Sequence, residues 1–233
     1  EIVQNYDVDG IHMDDYFYPT FNSSNVNSAF DAKEYKASTM GKHKNGIVAF
    51  RRQQVNALVK AIHSAVKATK PNVTFGISPA GNIDNLTSKY SYYVDINKWL
   101  NSHDYVDYIC PQIYWGFKHP YAKFDRVTKR WMKAAKSKKV KVYIGIAVYR
   151  AGHNTGASSS ERREWRSDAN VLKKQVQYAR KKGCDGFAFF DYQDLKSKTS
   201  ARAVKNLKKV YTTRFTQNQV QALTNVNFSV NKG

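Results

Sequence analysis

The chain has 233 residues, 42% hydrophobic and 24% charged, a globular balance long enough to bury one sizeable core. No run approaches the roughly 20 apolar residues of a membrane-spanning helix, so none is expected. The net charge of +20 is uneven: residues 1–120 carry 12 Lys and Arg against 11 Asp and Glu, whereas residues 121–233 carry 26 against 7. That basic half attracts polyanions, either an anionic cell-wall polymer or nucleic acid, or it forms solvated helix faces. No recognised nucleic-acid motif accompanies the charge, so specific nucleic-acid binding is not expected.

Strand-like and helix-like patterns alternate along the chain. Residues 8–16 read as a strand, and 48–69 as a helix with Val55, Leu58, Val59, Ile62 and Val66 on one stripe, closed by Pro71. Residues 72–81 form a second strand, 93–101 a short helix, 106–115 a third strand and 124–137 a helix. Residues 139–149 form the fourth strand, 168–182 a helix stopped by Gly183, 184–192 the last strand and 200–211 the last helix. The polar segment 212–233 reads as a tail or linker outside the domain 1–211.

Such alternation indicates a parallel sheet in an α/β fold. Each strand has one aliphatic face and one small or polar face: Phe75 and Ile77 oppose Thr74, Gly76 and Ser78, for example. A doubly wound sheet needs both faces aliphatic, whereas a barrel under a ring of helices does not. Asp9, Asp107 and Asp185 recur at strand entries and read as structural polar groups at the strand bottoms. The chain carries five strand–helix units. A closed TIM-type (β/α)8 barrel has eight. The sequence therefore reads as an incomplete barrel, strands four to eight. The chain begins at Glu1, so the lack of a leader sequence carries no weight.

In such barrels the chemistry sits at the C-terminal ends of the strands. Asp14 and Asp15 stand there in "VDGIHMDDYFYP" (8–19). By period two, Asp14 follows Gly10 and His12 into the mouth, and Asp15 points away. Tyr16, Tyr18, Tyr114, Trp115, Phe117 and Tyr149 crowd the same edge, offering flat faces to sugar C–H groups, while Ser78, Asn82 and Gln112 offer hydrogen bonds to hydroxyls. Asp191 points outward, and Asp84, Asp125, Glu161 and Glu164 read as solvated loop charges. His12 and Asp14 supply only two ligands on one strand, so no metal and no other cofactor is expected. Cys110 and Cys184 read as buried thiols, without zinc-site spacing.

The segments "DGIHMDDYFYP" (9–19), "RRQQVN" (51–56), "FGISPAGN" (75–82), "DYICPQIYWGF" (107–117) and "DGFAFFDY" (185–192) together resemble the glycosyl-hydrolase-like family ten of bacterial envelopes, over residues 1 to about 211. The resemblance implies a (β/α)8 barrel, an extracellular or envelope location and a glycosidase, some members acting on peptidoglycan glycan strands. It aligns residues 8–16 with the fourth barrel strand. It also implies that Asp14, closing a D-G-x-x-x-D strand that opens at Asp9, is a catalytic carboxylate, with Asp15 supporting or alternate. The sugar-binding set is then His12, Tyr16, Ser78, Asn82, Gln112, Tyr114, Trp115 and Tyr149. Asp191 departs from the family pattern, which carries a Ser at that place. The substrate is expected to be a glycan, with anionic wall polymer a further partner of the basic half. The competing expectation is a non-catalytic wall-binding protein using the same aromatics.

Overall fold

The computed structural model describes residues 1–14, 17–18, 29–42, 46–88, 92–137 and 139–210. The chain packs as two compact units, one of residues 1–112 with 133–141, the other of residues 113–132 with those from 142 onward.

The first unit holds helix α1 (Ile2–Asn5), strand β1 (Gly10–Asp14), helix α2 (Ala32–Ala37), the long helix α3 (Gly46–Thr69), strand β2 (Thr74–Ser78), the short helices α4 (Ile83–Thr87) and α5 (Ile96–Leu100), and strand β3 (Tyr108–Ile109). β1 and β2 are parallel, with Gly10 opposite Thr74 and Asp14 opposite Ser78. β2 and β3 are parallel, with Gly76 opposite Tyr108, and an isolated bridge joins Ala80 to Gln112. β3 is much shorter than the expected 106–115: past Ile109 the ladder gives way to separate backbone bonds, Cys110 N donating to Ile77 O at 2.8 Å and Gln112 N to Pro79 O at 2.9 Å, beside that bridge.

α3 runs to the residue before Lys70–Pro71, as the proline dictates. Val55, Val59 and Val66 are buried as the stripe requires, but Leu58 is 49% exposed. Its place is taken by His63, whose ring packs against Phe75 at 6.4 Å, and by Lys67, which reaches Asp107 at 2.7 Å. The helix thus turns a polar residue toward the sheet. Arg51, fully buried, forms a two-pronged ion pair with Asp31 at 2.7 and 2.9 Å and donates to Tyr93 Oη at 2.8 Å. Burial and the Asp31 carboxylate push the Tyr18 hydroxyl up to about 12.

The second unit takes most of helix α6 (Phe124–Ala134), most of strand β4 (Lys141–Ala147), helices α7 (Ser159–Ser167) and α8 (Val171–Lys181), strand β5 (Gly186–Phe190), and helices α9 (Tyr192–Lys196) and α10 (Ala201–Lys208). β4 and β5 are parallel, with Tyr143 opposite Gly186 and Ala147 opposite Phe190. Gly183, at φ +86°, stops α8 in the left-handed conformation that glycine adopts freely.

The strand faces follow the expected division. Phe75, Ile77, Ile109, Ile113, Ile144 and Ile146 are fully buried on the aliphatic face. On the other face small residues make room for rings: a Cβ on Gly76 would stand 2.1 Å from the Tyr108 ring, and one on Gly186 2.9 Å from the Tyr143 ring. Two of the three strand-entry aspartates, Asp107 and Asp185, are structural, as their recurrence suggests. Asp107 accepts the Phe75 N–H at 2.7 Å, and Asp185 accepts the Val142 N–H at 2.8 Å, so each ties its own strand to the preceding one. Within each unit the strands follow one another in chain order. The fold is therefore the expected α/β class, five parallel strand–helix units of the TIM-barrel type against the eight that close a barrel. Among the described residues no helix is long and apolar enough to cross a membrane.

Candidate active site

In the first unit, β1 delivers Asp14 to its C-terminal end, exposed and in register with Ser78. Gln112 Nε2 donates to Asp14 Oδ1 at 3.1 Å and to Ser78 O at 3.2 Å. The amide therefore anchors the carboxylate to the mouth of β2. Sequence reading had assigned Gln112 to sugar; the structure makes it the positioning partner of Asp14, a pairing across 98 residues that no local pattern signals. His12, one step below Asp14 on the same face, is joined through Nδ1 to Tyr108 Oη at 2.9 Å, with the rings stacked at 5.8 Å. Desolvation pulls His12 below its ordinary 6.5, and the Asp14 charge offsets only part of that, so the imidazole is neutral at pH 7.

Two of the expected sugar contacts also make local hydrogen bonds. Ser78 is only 5% exposed, and its hydroxyl donates to Cys110 O at 2.9 Å, a strut between strands. Asn82 is the N-cap of α4, its side chain accepting the Asp84 N–H at 2.9 Å. Asp15 and Tyr16 lie outside the described residues. Burial pushes the thiols of Cys110 and Cys184 up to about 12, so both are inert at neutral pH.

In the second unit, Tyr114 and Tyr149 meet Phe190, which sequence reading had not selected although period two places it on the inward face of β5. Tyr114 stacks on Phe190 at 5.9 Å, and Tyr149 stands edge-on to both at 6.0 and 6.2 Å. Phe190 is 53% exposed, so the cluster keeps an open aromatic face. Arg150 lies 5.5 Å over the Tyr149 ring and donates to its hydroxyl at 3.3 Å. Asp191 follows Phe190 and caps α9 by accepting the Asp194 N–H at 3.0 Å, a structural use.

Glu161 and Glu164 are not solvated loop charges. Both lie on α7, and Glu161 is fully buried. Glu161 accepts the N–H groups of Gly116 (3.0 Å) and Ala157 (2.7 Å) and the Trp165 indole N–H (3.4 Å). Ser158 returns the favour at the helix start by accepting the Glu161 N–H at 3.2 Å, a capping-box spacing. Glu164 accepts the Lys118 N–H at 2.9 Å; burial first, then Asp168 and Glu161, hold its carboxyl above the ordinary 4.5. The two carboxylates thus clamp the loop that carries Trp115, whose own carbonyl accepts Gln175 Nε2 at 2.9 Å.

A carboxylate fixed by an amide at a strand mouth can act as nucleophile or general base, and exposed rings can hold a sugar face. Among the described residues no group of three or more His, Cys, Asp or Glu gathers as a metal would require.

Comparison with known proteins gives the family. The family described as Glycosyl hydrolase-like 10 matches over residues 1–167. Glycosyl hydrolase YngK of Bacillus subtilis is 35% identical over 185 residues, 71% of this chain and 34% of that protein. Glycosyl hydrolase DigH of Escherichia coli K12 is 33% identical over 190 residues, 76% of this chain and 41% of that protein. The chain thus spans between a third and about two fifths of the length of these relatives. A solved structure, the catalytic domain of a β-amylase from Paenibacillus polymyxa, superposes with a TM-score of 0.45 at 13% identity, over 84% of this chain and 44% of that one.

Proposed function

The chain belongs to the glycosyl hydrolase-like 10 family, and from that premise we propose that it is a glycoside hydrolase acting on peptidoglycan-type or related polysaccharide, with Asp14 as its strand-end carboxylate. The observation that carries this reading is the Gln112 bond to Asp14 Oδ1, which fixes an exposed carboxylate where barrel enzymes do their chemistry. Oδ2 is the oxygen assigned to attack on the anomeric carbon or to activation of water. Asp15 is assigned the supporting role, and a second catalytic carboxylate is required about 5–5.5 Å away for retention or 6.5–9.5 Å for inversion. Tyr114, Tyr149 and Phe190 supply the sugar-facing aromatic surface, with Trp115 on the clamped loop beside them in sequence. Such a substrate places the protein at the cell envelope or outside the cell.

Replacing Asp14 by Asn keeps the acceptor for Gln112 but removes the charge. Release of reducing ends from purified glycan strands is expected to fall by about 10²- to 10⁴-fold, with an unchanged circular dichroism spectrum and melting temperature. Full turnover by Asp14→Asn would sink the assignment.

The competing reading, a non-catalytic binder of anionic wall polymer, rests on the 26 Lys and Arg against 7 Asp and Glu in residues 121–233. It requires co-sedimentation with cell walls without sugar release, weakened by high salt.

A further inference from the structure

Tyr121 is 84% exposed, the most open of the large hydrophobic side chains among the described residues. A single exposed ring needs no explanation by itself. The loop that displays it does, because its backbone is held at both ends. Glu161 and Glu164 take the N–H groups of Gly116 and Lys118, and Phe124 N donates to Gly116 O at 3.1 Å. His119 Nδ1 accepts the N–H groups of Tyr121 at 3.2 Å and Ala122 at 2.7 Å. Gly116 is required, since a Cβ there would stand 2.2 Å from Glu164 Oε2. A fully buried carboxylate is therefore committed to shaping a loop whose tip is an exposed tyrosine.

The rings on this loop form a row. The Trp115 ring lies 5.9 Å from that of His119, which lies 6.4 Å from Tyr121. Because Nδ1 of His119 accepts two backbone N–H groups, the neutral ring carries its proton on Nε2. The loop thus combines neighbouring aromatic rings with an N–H donor on His119. Those are the two contacts a pyranose accepts, one through its C–H face and one through its hydroxyls. A row one ring wide falls far short of the roughly 800 Å² per partner that a stable protein interface buries, which argues against a protein occupant.

We propose that Trp115, His119 and Tyr121 form a further subsite for a linear glycan, gripping sugar residues in addition to those held by Tyr114, Tyr149 and Phe190. The proposal rests on the glycan reading above and adds a preference for chain length. It is tested by calorimetric binding of peptidoglycan glycan strands, fractionated into the disaccharide and strands of six or more disaccharides. The Asp14→Asn background keeps the strands intact. The long strands are expected to bind more tightly than the disaccharide. Tyr121→Ala, at a position too exposed to disturb folding, should weaken long-strand binding about 3- to 10-fold and leave the disaccharide unchanged, while Tyr121→Trp restores it. The subsite is overturned, with the glycan reading intact, if the unsubstituted loop binds both lengths equally or if Tyr121→Ala shifts both lengths by the same factor or neither. If neither length binds at all, the glycan reading falls and the subsite falls with it.

Discussion

The floor of the site depends on a glycine beside which the structure leaves no room for a side chain. Gly76 lies opposite Tyr108 in register, and an added Cβ would stand 2.1 Å from Tyr108 Cζ and 2.2 Å from Cε2. Carbon atoms in ordinary contact sit about 3.5–4.0 Å apart, so in Gly76→Ala the ring must retreat by roughly 1.5 Å. The hydroxyl that bonds His12 Nδ1 at 2.9 Å leaves with it. Overpacking costs about 1–3 kcal/mol and the lost hydrogen bond about 1 kcal/mol, against roughly 0.5 kcal/mol gained from a less flexible unfolded chain. The net expectation is a destabilisation of about 2.5 kcal/mol, within a range of roughly 1.5–3.5. Urea denaturation of Gly76→Ala, Tyr108→Ala and the double variant isolates the clash. In the Tyr108→Ala background the ring is gone, and Gly76→Ala should stabilise by about 0.5 kcal/mol, giving a coupling of roughly 2–4 kcal/mol. Titration of His12 by NMR gives a second readout, because uncovering the imidazole should return its pKa toward 6.5. An equal cost of Gly76→Ala in both backgrounds would refute the reasoning.

Two further outcomes test the packing of the first unit. Arg51→Met leaves the Asp31 carboxylate buried without its two-pronged partner and should cost about 3–5 kcal/mol in urea denaturation; a loss under about 1 kcal/mol would mean that the pair is not buried as described. Asp107 sets an acid limb. Burial alone would raise its pKa, but the Lys67 ammonium at 2.7 Å and the Phe75 N–H outweigh it and hold the carboxyl below its ordinary 3.8. A depressed carboxylate contributes stability that is full above its unfolded pKa and is lost as pH falls through the lower folded value, here below about pH 4. Asp107→Asn should lower stability at neutral pH and flatten that acid decline. Parallel pH profiles for the two proteins would contradict the linkage.

Much of the architecture was legible in the chain because its cause is local. Alternation of aliphatic and small residues in 72–81 and 139–149 reflects a sheet with helices on one side, and Phe75, Ile77, Ile144 and Ile146 are buried accordingly. Asp107 and Asp185 repeat because each parallel strand entry leaves a neighbouring N–H to be satisfied. Asp14 was placed at the strand mouth by period two alone.

Other features depended on partners far along the chain. "SSERREWRS" has few apolar residues to mark a helix, and buried Glu161 takes one of its three N–H partners from Gly116, 45 positions earlier. Leu58 and His63 exchange places because Lys67 and Asp107 meet across the helix–sheet contact. A polar residue at a strand mouth shows its type in the sequence but not whether its hydrogen bond is already used, which is why Ser78 and Asn82 proved to be a strut and a cap. The sequence by itself determined the parallel α/β pattern and the carboxylate at the end of β1, since hydrophobic periodicity is written residue by residue. Only the tertiary structure decided that Gln112 holds that carboxylate and that Glu161 and Glu164 hold the aromatic loop, since a hydrogen bond between distant residues has no local signature.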